Sequence, residues 1–296
     1  MTLLEKFLVI EPPRILDPAV IGRRYSGTVE IIDSKRALEF ARATNETNPS
    51  YFTPDESNRL IPPLFPVTMM FTVNNKLLED QTLNLDISRM VHGEHEITYI
   101  RPLRPLDEIL TSIELESIDV KSSGEVLWVK IDGHCQSDLV FIMRAGLFFR
   151  NQEKAVSREK TPKLPTQRPD QDIILSEKMI VNSNQAIRYS QASGDTNPIH
   201  LDKDFAQMVG LPDVFLQGLC TMSFATQAIL TGTKTGANKL KRIRTRFAKL
   251  VFMGDVLTTK GWVMRDTPQS RVIGFETYNQ KNIPVLTRGE VELLSD

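Results

Sequence analysis

The chain repeats itself. Ala186-Ile187-Arg188-Tyr189-Ser190-Gln191-Ala192-Ser193, followed by Gly-Asp-Thr-Asn-Pro-Ile-His, parallels Ala37-Leu38-Glu39-Phe40-Ala41-Arg42-Ala43-Thr44, followed by Asn-Glu-Thr-Asn-Pro-Ser-Tyr. Aligned on Asn-Pro, Asn197 matches Asn48 and Pro198 matches Pro49. Leu211-Pro212-Asp213-Val214-Phe215 then falls at nearly the same offset as Ile61-Pro62-Pro63-Leu64-Phe65. Each copy continues with an apolar stretch of helical period, Leu219, Met222, Thr226, Ile229 and Leu230 in one and Val67, Met70, Asn74, Leu77 and Leu78 in the other. Gly232 is a natural stop for the helix that carries Leu219 to Leu230. A chain with this internal symmetry must make one unit twice.

Runs of alternating, β-branched and aromatic residues follow in both copies and read as strands. They are 96–100, 109–115, 126–131 and 145–149 in the first copy, and 243–247, 256–264, 271–277 and 286–291 in the second. Short helices, one longer apolar helix and then consecutive strands predict an α+β unit in each half. Between the halves, residues 151–172 are charged, carry Pro162, Pro165 and Pro169, and lack aromatics, so they read as a linker. The expected domains are therefore 1–150 and 173–296, each of ordinary domain size.

Composition sets the outer limits. Of 296 residues, 41% are hydrophobic and 25% charged, the balance of a soluble globular protein, and the net charge of -1 argues against duplex nucleic acid as a partner. No apolar run reaches membrane-spanning length, and Met1–Phe7 lacks a secretory pattern, so a cytoplasmic protein without membrane partners is expected. Cys135 and Cys220 offer neither a disulfide framework nor a metal cluster, and His92 and His95 have no acidic or Cys partner pattern to make a metal site. His134 beside Cys135 has no nucleophile context. There is no phosphate-cradling Gly-rich loop and no dinucleotide fingerprint.

The chemistry concentrates in Ser193-Gly194-Asp195-Thr196-Asn197-Pro198-Ile199-His200, which holds one of only four histidines. Gly194 ends the preceding helix, Pro198 forces Asn197 into extended geometry, and Asp202 is placed to cap the next short helix. In the first copy Thr53-Pro54-Asp55-Glu56 fits a capping box. Asp, Asn and Pro between helices also serve as plain turn chemistry. The first copy weighs against that explanation for Asp195 and His200: it keeps Asn-Pro but has Glu46 and Tyr51 in their places, so the turn forms without them. An aspartate and a histidine aimed at one point can hold a water and move its protons.

Two further features accompany the loop. Gly218 opens the apolar helix, where unpaired backbone N–H groups carry the positive end of the dipole and a glycine lets a carbonyl approach; the first copy has Thr68 there. Lys239, Lys241, Arg242, Arg244 and Arg246 make a basic strand whose counterpart, His92-Gly93-Glu94-His95-Glu96, is acidic. That strand suits either a phosphate-bearing substrate arm or a solvated face.

At Tyr189, at Ser193-Gly194-Asp195 through Asn197-Pro198-Ile199-His200, and at the small Ala206, the chain resembles the MaoC-like dehydratases, also called hydratase 2 or (R)-specific enoyl-CoA hydratases. Arg246-Phe247 and Met253-Gly254-Asp255 look familial too, and the first half looks like the degenerate N-terminal domain of two-domain members. The resemblance implies a double hot dog fold, each half a curved antiparallel sheet around a central helix, the two forming a pseudo-dimer that leaves room for a homodimer of pseudo-dimers. It implies reversible syn hydration of a 2-enoyl thioester of coenzyme A or acyl carrier protein to the (R)-3-hydroxyacyl thioester, with no metal or organic cofactor. Asp195 and His200 would be the acid/base pair, Asn197 would order the loop, and the Gly218 N–H would polarise the thioester carbonyl. Thr226 falls where some members carry an assisting hydroxyl. Many members have His-Gly where this chain has Gln217-Gly218, so Gln217 would shape the substrate site near the carbonyl. Lys241, Arg242, Arg244 and Arg246 would hold the substrate's phosphates. Two rivals remain on sequence grounds, an acyl-CoA thioesterase and a non-catalytic acyl-binding subunit.

Overall fold

A computed structural model describes residues 15–86, 89–151 and 172–295. The expected linker falls outside them except for its two end positions, as does the Met1–Phe7 segment. The first half runs β1 (Arg24–Ile31), α1 (Ser34–Ala43), α2 (Val67–Glu79), β2 (Met90–Tyr99), β3 (Glu108–Lys121), β4 (Gly124–Cys135) and β5 (Asp138–Arg150). The second runs β6 (Ile173–Ile180), α3 (Gln185–Ser193), α4 (Lys203–Met208), α5 (Gly218–Gly232), β7 (Leu240–Phe247), β8 (Val256–Asp266), β9 (Ser270–Tyr278) and β10 (Pro284–Leu294). The two lists match apart from α4, which takes the place of a short 3-10 turn at Glu56–Asn58; the 3-10 turn at Pro49–Tyr51 has its counterpart at Pro198–His200. The capping box expected at Thr53 therefore starts no α-helix. Asp55 caps the turn instead, accepting from the Ser57 N–H at 3.0 Å.

All strands join one antiparallel ten-stranded sheet in the order β1-β3-β4-β5-β2-β7-β10-β9-β8-β6. Each half is a hot dog, with α2 or α5 lying against the inner face of its own strands. Residues 219–230 of α5 are all buried, so this helix is enclosed on every side rather than along the single stripe its sequence period suggested. Strand alternation does the rest. Ile109, Thr111, Ile113 and Leu115 of β3 face the core while their neighbours face outward, and Leu127, Val129 and Ile131 of β4 continue the same layer.

The halves meet at β2 and β7, and here the basic strand finds its partner. Glu94 faces Arg246, Glu96 faces Arg244 and Thr98 faces Arg242 across the ladder. Arg242 reaches Glu96 at 3.2 Å and Glu290 at 3.1 Å, Arg244 pairs with Glu290, and Arg144 pairs with Glu116 at 3.0 Å. The acidic and basic copies of one strand thus complement each other, which favours this pairing and disfavours two identical edges meeting. Exposed pairs of this kind contribute little individually. Arg242 keeps only 24% of its side chain exposed and serves three carboxylates, counting Glu292 at 3.8 Å. Replacing it with Glu would place four acids together, and Arg242→Glu is expected to cost ~2 kcal/mol, read as a fall in Tm of ~5 °C in a thermal melt.

Among the described residues, no helix is long and apolar enough to cross a membrane. No group of three or more His, Cys, Asp or Glu among them is placed to hold a metal ion.

Candidate active site

The loop after α3 is built as its residues dictate. Gly194 takes φ +85, which a side chain would strain, and its N–H closes on the Ser190 carbonyl at 2.9 Å. The Asp195 carboxylate accepts from the Asn197 N–H at 3.3 Å, and Asn197 Oδ1 in turn accepts from the Ile199 N–H at 3.2 Å, capping the turn that carries His200. Asn48 in the first half accepts from the Ser50 N–H at 3.0 Å in the same way. Asn197 is therefore a turn former in both copies, whereas Asp195 and His200 are not needed to make the bend.

His200 is fixed from behind. Its Nδ1 lies 2.8 Å from the Phe215 carbonyl, so Nδ1–H donates there and Nε2 is left with its lone pair. The Phe215 ring also packs edge-on against the imidazole, centroids 4.5 Å apart. Burial raises the Asp195 pKa and lowers that of His200, while the mutual attraction of the two groups opposes both shifts. Desolvation wins in each case, so the pair resists carrying two charges and its protons move as a unit.

Asp195, Asn197, His200 and Gly218 line one cavity of about 490 Å³. Gly218 is the first residue of α5, where the leading N–H groups of a helix lack intrahelical acceptors; Cys220 and Thr221 N–H are taken by the Gln217 carbonyl at 3.1 and 3.2 Å. A Cβ at Gly218 would stand 3.1 Å from the Phe247 ring, so any larger residue would press on that ring at the helix start. The far wall belongs to the first half. Met70 and Phe71 of α2, Val129 of β4 and Leu147 of β5 make it apolar, with Asn74 and His92 among them. His92 lies edge-on to Phe247 at 5.1 Å and is held neutral by burial, its pKa near 4. Arg150 and Lys249, both exposed, also line the cavity.

Six of the residues assigned to the site from sequence lie elsewhere. Gln217 is fully buried with its Nε2 on the Ala186 carbonyl at 3.1 Å, bracing α5 against α3. Thr226 donates to the Met222 carbonyl at 2.8 Å inside α5, as a buried helical threonine does. Lys241 is spent on the Tyr99 carbonyl at 2.8 Å, and Arg242 and Arg244 on the acidic residues of the seam. Arg246 lines a charged groove beside Arg288 and Glu94 rather than the cavity. The cations that do line the cavity, Arg150 and Lys249, sit outside the basic run and left no sequence signal of their own. Phe215 reads in the sequence only as a turn residue and Phe247 only as part of the familial Arg246-Phe247 pair, because their contact with the site depends on how the chain returns. The motif's Tyr189 packs on Phe40 with centroids 5.8 Å apart, and Ala206 is buried; both support the loop from beneath.

The first-half counterpart has different chemistry. Glu46 occupies the Asp195 position and burial holds its pKa up at about 8. The native state then keeps a proton that the unfolded chain loses above its ordinary value of 4.5, so Glu46 lowers stability progressively from about pH 5 to pH 8. Glu46→Gln removes that penalty. It should raise Tm by a few degrees at pH 8.5 and by much less at pH 5, which paired melts would read.

Comparison with known proteins matches both halves. Residues 165–282 match the MaoC like domain, and residues 19–139 match the FAS1-like, dehydratase domain region. The mouse peroxisomal multifunctional enzyme type 2 is 30% identical over 200 residues, covering 64% of this chain and 26% of that protein. The Arabidopsis thaliana protein named enoyl-CoA hydratase 2, peroxisomal, is 28% identical over 194 residues, 60% of this chain and 61% of its own length. The chain therefore spans less than two thirds of either relative. The crystal structure of a MaoC-like dehydratase from Phytophthora capsici superposes with a TM-score of 0.77 at 20% identity, covering 95% of this chain and 97% of that one.

Proposed function

Because the chain belongs to the MaoC-like dehydratase family, we propose that it is a hydro-lyase catalysing the reversible hydration of 2-enoyl thioesters to (R)-3-hydroxyacyl thioesters. The observation that carries this reading is the meeting of Asp195, His200 and the start of α5 at Gly218 in one cavity with an apolar opposite wall. The thioester carbonyl accepts from the Gly218 N–H, which draws electron density from the double bond and leaves C3 electrophilic. A water held by the Asp195 carboxylate and His200 Nε2 adds through oxygen to C3. The pair takes up a proton from that water and delivers one to C2, so the balance needs no cofactor. Addition from one face follows if both proton carriers, five residues apart on one loop, stand on the same side of the chain.

The division of labour is unequal. The second half supplies the reacting groups, and the first half supplies apolar surface for the acyl chain through Met70, Phe71, Val129 and Leu147. Arg150 and Lys249 offer cations to the phosphates of a coenzyme A or acyl carrier protein arm. A panel of 2-enoyl-CoA substrates of increasing length, followed by loss of the conjugated enoyl chromophore and chiral analysis of product, tests the reading. Release of free thiol from saturated acyl-CoA without loss of the enoyl chromophore would replace it with a thioesterase. Acyl-CoA binding with no turnover of either substrate would leave only an acyl-binding role.

A further inference from the structure

On a regular strand, residues three apart face opposite sides of the sheet. His92 and His95 of β2 both face inward, because the strand carries one extra residue against β5. His92 faces Leu147 and Glu94 faces Gly146, with Gly93 bulged between them. Bulges of this kind re-aim side chains, often beside active sites. His95 ends 1% exposed in the core, and His92 lines the cavity that holds Asp195, His200 and Gly218.

The two imidazoles and Phe247 form a row that ends on the start of α5. His95 Nδ1 lies 3.3 Å from His92 Nε2, within reach of a shared N–H, and the rings meet edge to face with centroids 5.1 Å apart. His92 makes the same edge contact with Phe247, again at 5.1 Å, a favoured geometry for aromatic pairs. The Phe247 ring in turn stands 3.1 Å from where a Cβ on Gly218 would be. Backbone pairing holds Phe247 from one side. It faces Leu286 of β10, but the β2–β7 ladder stops at Glu94 and Arg246, one residue earlier. On the β2 side the His92 ring takes up that contact. Burial keeps both imidazoles neutral, so the row acts by packing rather than by charge.

We propose that His92 is a positioning residue for hydration, a role that rests on the hydratase reading: braced by His95, it holds the Phe247 ring against Gly218 and so fixes the space in which the thioester carbonyl meets the first turn of α5. Control of the carbonyl subsite then crosses the seam, from β2 of the first half to α5 of the second. A slip of the ring shifts the carbonyl against its donor, and a displacement of ~1 Å at a reacting centre costs up to ~10²-fold in rate.

Steady-state hydration of 2-enoyl-CoA substrates by the full chain tests this. His92→Ala removes the ring and should lower kcat ~10-fold, with KM within about threefold of wild type. His92→Phe keeps an aromatic edge against Phe247 and should bring kcat back to within about threefold. Phe247→Leu should slow the enzyme at least as much as His92→Ala. The double variant should be no slower than Phe247→Leu alone, since His92 acts through that ring. If His92→Ala does not fold, His92→Gln, which keeps an amide for His95 but no ring, carries the same expectations. Losses that multiply in the double variant, a loss confined to KM, wild-type kcat without the ring, or a loss in His92→Phe as deep as in His92→Ala would each overturn the role and leave the hydratase reading in place. No hydration by the wild-type chain at any acyl length would overturn that reading, and this role with it.

Discussion

Asp195→Asn and His200→Gln are each expected to lower kcat for enoyl-CoA hydration by ~10²- to 10⁴-fold, the range typical of a lost acid or base. Neither change should unfold the protein. The Asp195 carboxylate is held against an unfavourable burial, so its amide isostere relieves a cost, and Tm of Asp195→Asn should stay level or rise. His200→Gln loses the bond from Nδ1–H to the Phe215 carbonyl, and a small fall in Tm is expected there. The double variant should be scarcely slower than the worse single one, because two groups that share one water act as a unit. Full activity in both purified single variants would remove the mechanism altogether.

Gly218 carries the second large effect. Gly218→Ala places a Cβ 3.1 Å from the Phe247 ring, and that ring is backed by His92 at 5.1 Å, so it has little room to retreat. Gly218→Val adds two methyl groups to the same spot. A loss in kcat/KM of ~10-fold for alanine and ~10² to 10³-fold for valine is expected, as the carbonyl is pushed off its donor. If the glycine mattered only for packing, Tm would fall along the series while kcat/KM stayed near that of the wild type. Steady-state kinetics and melts on the same preparations separate the two.

The sequence disclosed the loop well and the surroundings poorly, for a physical reason. Gly194, Asn197 and Pro198 act through bonds to residues one to four positions away, so their meaning is local and readable. The eight strands recognised from alternation are all present. The two that escaped, β1 and β6, are the outermost strands of the sheet, where β1 has Ser26 and Gly27 inside it and β6 buries only Leu175. Edge strands need little burial, so their pattern is weak. The basic strand reads equally as a substrate arm or a solvated face because charge alone does not say whether its partner is a substrate or another strand. Only the β2–β7 ladder decides that, and the acidic counterpart at Glu94 and Glu96, already visible, was the clue to it. Arg150 and Lys249 lie far from the motif and reach the cavity solely through the closing of the sheet.

A cavity walled by both copies ties their fates together. The copy without the reacting pair is not free to decay, since every residue it contributes to the wall sets the shape a substrate meets. Attempts to retune which acyl groups are accepted should thus start at positions 70, 71, 129 and 147, leaving the Asp/His loop untouched. Expressing the later copy alone would leave the cleft roofless unless a second molecule stood in for the missing neighbour.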